Sequence, residues 1–207
     1  METIRFETQN PQSPNYFPKL RETFLSKNKA LLKEQYPYFY YGTLFQKEYD
    51  PYRENPHQQI IDETKPLYSR HGNLTMSETE KILSTAKTIL ADNPLDLEQL
   101  SHMIYACEQL GKINTANLWK EKLDNIMLTI SESGSGADQE NAIVIVDPAH
   151  EFDFFTISGV KVEKQEFVEP YYEVVTVRMP GEKQTRQYWF NILYILQEYY
   201  ARHPEEL

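Results

Sequence analysis

The sequence has few of the features that form disulfides, membrane-spanning helices or basic surfaces. Cys107 is its single cysteine, which excludes an intrachain disulfide. No apolar run approaches the ~20 residues that a membrane-spanning helix requires. The formal net charge is −10, and a chain this acidic lacks the basic face that nucleic acids and anionic lipids attract. We therefore expect neither a nucleic-acid partner nor a membrane partner.

Targeting and catalytic motifs are also scarce. Residues 1–6 lack a basic segment followed by an apolar run, which is the pattern of a secretory signal. The cytoplasm is therefore the expected compartment, and a chain whose signal had been trimmed would be an exported one. Neither a Gly-x-Ser-x-Gly elbow nor a phosphate-binding loop is present.

The histidines do not form a zinc motif. No two of them stand four residues apart on one predicted helix, and no cysteine pairs with them. The five are His57, His71, His102, His150 and His203. We expect no bound metal and no cofactor.

The composition that remains is typical of a folded protein. The chain has 207 residues, of which 40% are hydrophobic and 13% aromatic, and this length suffices to bury a sizeable core. A disordered chain would have fewer aromatic residues and a lower hydrophobicity. Tyrosine is abundant, with 15 residues. Its apolar ring and polar hydroxyl suit interfaces, clefts and sheet surfaces.

The pattern along the chain predicts an α+β protein, with helices first and a small antiparallel sheet of about three or four strands packed on them. We expect an extended arm over residues 1–14, a helical region over 15–131, a linker over 132–140 and a β-rich region over 141–207. The linker is small, polar and glycine-rich. The segments are expected to form one integrated domain, whose oligomeric state stays open.

Apolar residues at helical spacing predict the first helices. They indicate helices over residues 14–27, from 30 to about 36, and over 37–45, with Ser13 as the cap of the first. A further helix is expected within 55–71, limited by Pro66.

Residues 77–131 carry the clearest helix signals. Ser77 and Glu80 have the spacing of a capping box, and an apolar stripe follows them. Asp96 is expected to cap the next helix, and Gly111 to end it. A third helix is predicted to run to about Ile130.

The same stretch resembles tetratricopeptide repeats, which are helix pairs recurring every ~34 residues. A repeat beginning at Leu97 places its turn glycine at Gly111 and its small residue at Ala116. Roughly one and a half repeats fit, fewer than the ~3 that a free-standing array requires. The alternative is an ordinary helical hairpin packed on the rest of the protein, since the capping and helix-propensity rules alone explain most of the pattern.

The residues after the linker favour strands. Residues 142–146 form a β-branched run typical of a buried strand. Residues 172–179 and 186–193 predict an antiparallel hairpin. Residues 149–170 fit either a short helix or a strand, and 194–203 predict a helix that covers the sheet.

The aromatic-rich segment 36–52 is the first candidate site. Tyr40, Tyr41, Tyr49 and Tyr52 are candidates for a platform that stacks on a peptide or a sugar. The alternative is a packing layer between the helices and the sheet.

An acidic cluster after the first predicted strand is the second candidate site. It contains Asp147, His150, Glu151 and Asp153. Loops at strand ends often carry function, and these side chains suit acid–base chemistry or a hard metal ion. The alternative is a solvated acidic loop in which Asp147 holds the turn.

Three segments together resemble an uncharacterised family of unknown function from Bacteroides-type bacteria. They are Tyr40–Gln46 with Tyr49–Tyr52, the stretch from Ala142 to Phe155, and Tyr188–Ile192. The resemblance covers about residues 15–195 and implies no activity and no catalytic residues. It implies that the Tyr-rich segment and the C-terminal sheet belong to one unit.

Three functional hypotheses follow from these features. The leading one is a non-enzymatic protein that binds a protein or peptide partner through the helical groove or the Tyr-rich segment. The second is a hydrolase that uses the loop from Asp147 to Asp153. The third is an acidic protein of the immunity or sensor type that binds a basic partner, whose association would weaken with salt.

Overall fold

The computed structural model describes residues 1–70 and 72–206, and its fold is α+β as the sequence predicts. The strands are β1 Ile143–Val144, β2 Lys161–Val168, β3 Tyr172–Arg178 and β4 Thr185–Asn191. The helices are α1 Glu2–Gln9, α2 Phe17–Leu25, α3 Tyr36–Gly42, α4 Gln58–Tyr68, α5 Met76–Asp92, α6 Leu97–Gln109, α7 Ile113–Ser131, α8 His150–Thr156 and α9 Leu193–Arg202. His71, predicted as part of a loop, lies outside the described residues.

The chain forms two compact units that are interleaved in sequence. Unit 1 contains Met1–Lys19, Lys33–Tyr52 and Asn125–Leu207, and unit 2 contains Leu20–Leu32 and Arg53–Asp124. The predicted linker at 132–140 lies inside unit 1. The Tyr-rich segment and the sheet belong to the same unit, as the family resemblance implied.

The sheet of unit 1 is mixed, with the strand order β1-β4-β3-β2. The predicted hairpin is confirmed, because β3 and β4 pair antiparallel with Val175 opposite Tyr188. The expectation of a wholly antiparallel sheet is wrong, since β1 pairs with β4 in the parallel direction. Strand β2 pairs antiparallel with β3 at the outer edge, and its register shifts between Val162 and Lys164.

Residues 1–14 are not the extended arm that the sequence predicted, because α1 occupies most of them. Thr8 on α1 is buried beside Gly42, where an added Cβ would lie 2.7 Å from the Thr8 Cγ2 atom. Gly42 therefore permits close packing of a side chain. Ser13 does not cap α2; its hydroxyl accepts from the Asn15 amide and donates to Glu7.

Hydrogen bonds anchor part of the segment 132–140, although its composition indicated a flexible linker. The Trp189 amide donates to the Gly136 carbonyl at 2.8 Å. This bond adds a backbone contact to β4 next to its pairing with β1. The Val144 amide donates to the Ser133 hydroxyl at 2.9 Å. Small residues here allow the backbone to approach the sheet closely.

Unit 2 contains the helices whose ends the sequence marks most clearly. Asp96 caps α6 by accepting from the Gln99 amide at 2.9 Å, and Gly111 follows α6 with φ +68, as predicted. The capping box lies two residues earlier than predicted, because Thr75 and Glu78 form it.

The structure also differs from two further helix predictions. Residues 30–32 are not helical, and α3 begins at Tyr36 with Pro37 in its first turn. Pro66 lies inside α4 and does not end it. Among residues 1–70 and 72–206, no helix combines the length and the apolar character needed to cross a bilayer.

Candidate functional site

The Tyr-rich segment is largely interior to unit 1. Helix α3 is followed by a short 3-10 turn, Thr43–Phe45, which carries the chain into the loop that bears Tyr49 and Tyr52. Tyr40, Tyr41 and Tyr49 are all buried, and Tyr41 is 8% exposed. Tyr52 is 48% exposed, so it is the member of the predicted platform that a partner can reach directly.

Tyr40 joins the two predicted candidate sites. Its Oη atom lies 2.7 Å from Nδ1 of His150, and the two rings stack with centroids 5.5 Å apart. Both residues are buried, and His150 is 1% exposed. Burial raises the pKa of Tyr40 well above its ordinary value, so the phenol stays neutral. This interior pair fixes the start of α8 against α3.

Tyr49 and Tyr41 use their hydroxyls in the same interior manner. The Tyr49 hydroxyl donates to the Val146 carbonyl at 2.8 Å, just before the acidic loop. The Tyr41 hydroxyl donates to the Thr129 carbonyl at 3.4 Å. Burial raises the pKa of Tyr41 to about 12. These contacts position the loop that begins at Asp147.

Helix α8 directs Glu151 toward the sheet. Its side chain is fully buried at 0% exposure. The Nε2 atom of Gln165 on β2 donates to Oε2 of Glu151 at 2.8 Å and to Oε2 of Glu173 on β3 at 3.4 Å. The other oxygen of Glu151, Oε1, is buried without a hydrogen-bond partner among residues 1–70 and 72–206. Two carboxyl groups therefore share one amide donor, and one carboxyl oxygen is unsatisfied.

The electrostatics of this pair are unusual. Burial, together with the neighbouring Glu173, raises the pKa of Glu151 to about 8, against the opposing hydrogen bond from Gln165. Burial also raises the pKa of Glu173. Glu151 is therefore largely neutral at pH 7 and becomes an anion only in alkaline solution or beside a new cation.

Tyr52 and Asp147 complete the surroundings of the pair. Burial, then Tyr200 and the carboxyls of Glu173, Glu151 and Asp147, raise the pKa of Tyr52. Asp147 is half-buried, and its Oδ1 accepts from the Ala149 amide at 2.9 Å, which holds the turn before α8. We call the set Tyr52, Asp147, Glu151, Gln165 and Glu173 the carboxyl site.

Further acidic and histidine residues are not members of this set. Asp153 is half-buried on α8, and His150 is engaged with Tyr40. Within the described part of the chain, His203, Glu205 and Glu206 could each offer a ligand atom within 4.8 Å of the others. That group is half-buried to exposed, and the Tyr199 hydroxyl already donates to Glu206.

A family of domains of unknown function, DUF4919, matches residues 2–201. The chain belongs to the DUF4919 family. This match confirms the resemblance to an uncharacterised family and covers every residue of the carboxyl site. No curated protein and no solved structure is significantly similar to the chain. Membership of the DUF4919 family assigns no activity to the chain.

Two members of the carboxyl site in this DUF4919 protein were missed from sequence. Glu173 and Gln165 lie on strands, and neither belongs to the predicted loop. The available signal was the face of β3, where Glu173 shares an alternating row with the buried Val175 and Val177. A carboxylate in an apolar row is costly unless it has a purpose or a partner.

Proposed function

We propose that this DUF4919 protein is a non-catalytic binding protein that holds a basic segment of a partner protein at the carboxyl site. The proposal unites the leading hypothesis, a protein- or peptide-binding protein, with the third hypothesis, an acidic protein that recognises a basic partner. The proposed binding surface is thereby limited to the carboxyl site, which includes Tyr52.

One observation carries the proposal. Glu151 and Glu173 share the Gln165 amide, both of them and Asp147 act electrostatically on Tyr52, and within residues 1–70 and 72–206 none of the three carboxyls forms an ion pair with Lys, Arg or His. Most acidic side chains that are partly or fully buried are paired. A group of carboxyls that lacks a cation has the charge complement of a basic segment.

The four tyrosines of the predicted platform have two different roles in this proposal. Tyr52 offers an exposed aromatic face at the rim of the site, and its ring is held edge-on by Tyr199 at 4.9 Å. A cation placed over such a ring is attracted by its electron-rich face. Tyr40, Tyr41 and Tyr49 position the acidic loop from the interior.

The second candidate function, a hydrolase, is favoured by one feature. Glu151 has a pKa of about 8 beside a second carboxyl, and a carboxyl that is neutral at pH 7 suits a general acid. Against it, His150, which the hydrolase hypothesis includes in its acid–base loop, is 1% exposed and engaged with Tyr40. Hydrolysis of a chromogenic ester or glycoside that disappears in Glu151→Gln would favour this candidate.

Helices α5, α6 and α7 would form a tetratricopeptide-like stretch offering a second surface to the partner. The cytoplasmic location stays a prediction.

The experiment is a binding assay with synthetic peptides. Fluorescence anisotropy would compare labelled basic, neutral and acidic peptides of equal length at low and high ionic strength. We expect the basic peptides alone to bind, and their affinity to fall with added salt. The Glu173→Gln variant should bind about tenfold more weakly, because one charged hydrogen-bond acceptor is lost.

A matched control removes a charge elsewhere. Glu140 is exposed, and Glu140→Gln changes the net charge by the same amount as Glu173→Gln. The proposal requires Glu140→Gln to bind like the unmodified protein. Equal weakening by both variants would reduce the effect to overall charge, and equal binding of all peptides would refute the proposal.

A further inference from the structure

Gln165 is a surface residue whose side chain bonds to both Glu151 and Glu173. It lies on the outermost strand, β2, and its side chain is exposed to solvent. Its amide nitrogen donates to Glu151 and Glu173, which lie on different elements. The fully buried Glu151 thus lies directly beneath a surface side chain that can change rotamer.

The hydrogen bonding of the Glu151 carboxyl is incomplete. The amide of Gln165 brings neutral N–H donors to two carboxyl groups, and Oε1 of Glu151 receives none. A buried polar atom without a partner is costly. In the neutral carboxyl Oε1 can hold the proton, so a cationic N–H donor would bind as that proton leaves. A ligand that fits must carry several N–H donors and a positive charge.

We infer that the carboxyl pair is a guanidinium site, in which an arginine side chain of the partner displaces Gln165 and donates to Glu151 and Glu173 together. The inference rests on the proposed function and names the group that the basic segment contributes. A guanidinium has five N–H donors in a planar fork, so it serves two carboxyls at once.

The surroundings favour guanidinium over ammonium. Tyr52 supplies a flat, half-exposed ring at the rim, and planar guanidinium stacks on aromatic faces. Ammonium is a compact and strongly hydrated charge, which makes entry beside a buried carboxyl more costly. Entry of a cation also lowers the pKa of Glu151, so binding should release a proton below about pH 8. Other titratable groups near the site include Glu173, Tyr52, Asp147 and Tyr200.

A substitution can place the guanidinium in the site without any partner. In Gln165→Arg, the Nε atom stands at the chain position of the present amide nitrogen, and the terminal nitrogens extend beyond it. We expect a higher melting temperature at pH 7 and a Glu151 titration midpoint lowered by about one unit or more, followed by carboxyl NMR. Gln165→Lys should show a smaller change in both measurements.

The control for this substitution is Gln187→Arg. Gln187 is exposed on β4 and pairs with Thr176, so its side chain lies on the opposite face of the sheet from Gln165. It adds the same charge away from the carboxyl pair. A Glu151 titration in Gln165→Arg that equals the one in Gln187→Arg would overturn the inference.

A second measurement uses the unmodified protein, so it does not depend on how variants fold. Titration with arginine amide should shift the side-chain amide resonances of Gln165 at about tenfold lower concentration than titration with lysine amide. Equal shifts with the two probes, or none, would contradict a guanidinium site.

The two proposals fail differently. If basic peptides bind but arginine and lysine peptides bind equally, the partner-binding function stands and the guanidinium inference falls. If Gln165→Arg titrates as expected and arginine amide binds, but no basic peptide does, the guanidinium site stands and the partner-binding function falls.

Discussion

At the residue scale, Glu151 dominates the chemistry of this protein. Its carboxyl is buried and shares a donor with Glu173, and its neutral form is the stable one near pH 7. A raised pKa in the folded state stabilises the protein below the unfolded value of 4.5, and this stability is lost as the pH rises through about 8.

Glu151→Gln should remove this pH dependence. Glutamine imitates the neutral carboxyl, so the variant should match the unmodified protein near pH 4.5 and become progressively more stable than it up to about pH 8. The steepest part of the difference should approach about 1.4 kcal/mol per pH unit. Urea unfolding at several pH values measures it, with Glu140→Gln as the exposed control. Parallel curves for Glu151→Gln and the unmodified protein would contradict a buried neutral acid.

Tyr41 and Tyr52 should respond in opposite ways to truncation. Tyr41 is 8% exposed, so Tyr41→Ala should cost ~3 kcal/mol or more of unfolding free energy through the cavity that it leaves. Tyr52 is 48% exposed, so Tyr52→Ala should cost under ~1 kcal/mol and weaken binding of basic peptides. Thermal melting and anisotropy separate the two. A stable Tyr41→Ala variant that fails to bind would restore Tyr41 to the site.

At the scale of secondary-structure elements, a lysine completes the end of a helix. Lys122 on α7 is fully buried, and its Nζ atom donates to the carbonyls of Phe24 and Ser26 at 2.5 and 2.6 Å, where α2 ends. The Trp119 ring lies 4.1 Å from the same atom. Burial lowers the pKa of Lys122 to about 8.

Lys122→Met should destabilise unit 2. The methionine keeps an apolar stem but leaves two helix-end carbonyls without their donor, which should cost ~2–3 kcal/mol. Lys120→Met is the control, because Lys120 is exposed on the same helix. Chemical denaturation of both variants tests the prediction, and equal stability would show that the carbonyls of Phe24 and Ser26 do not require Lys122.

Local signals predicted the elements that local interactions determine. Asp96 caps α6 because a carboxylate accepts from an amide three residues on, and Gly111 ends it because glycine adopts positive φ. The capping box was misplaced because Thr75 offers the same chemistry as Ser77, with Glu78 at the required spacing. Helix α1 was missed because its sequence has few apolar residues, and its place depends on contacts such as Thr8 with Gly42.

The carboxyl site could be predicted only in part. Tyr52, Asp147 and Glu151 lie in the two segments that composition singled out. Glu173 and Gln165 come from β3 and β2, and their approach to Glu151 depends on how α8 packs on the sheet. Phe155 on α8 contacts Tyr188 and Phe190 with centroids 5.1 and 5.9 Å away. Contacts of this kind leave no spacing pattern in one sequence.

At the scale of the whole molecule, unit 1 depends on segments that are distant in sequence. Tyr40 reaches His150, Tyr49 reaches the Val146 carbonyl, and Arg5 on α1 pairs with Glu198 on α9. Residues 1–19 and 33–52 therefore contribute contacts that hold unit 1 together around the sheet.

Residues 141–207 expressed alone should not fold. The isolated fragment loses the buried side chains of α3 and the loop that follows it, so its apolar face would be open to water. Amide dispersion in NMR spectra and circular dichroism test this, with the full chain as the reference. A dispersed spectrum from the fragment would mean that the sheet region is independent of the first 52 residues.

The position of β2 at the rim of the sheet has a consequence for self-association. An outermost strand exposes unpaired backbone groups, and these can recruit strands from other copies into fibrils. Here Lys161, Glu163, Lys164 and Glu166 line that strand, and the register shift after Val162 interrupts its regular ladder. Charge and an irregular register both discourage templated growth. Gln165 can therefore lie on an accessible edge strand without promoting amyloid formation.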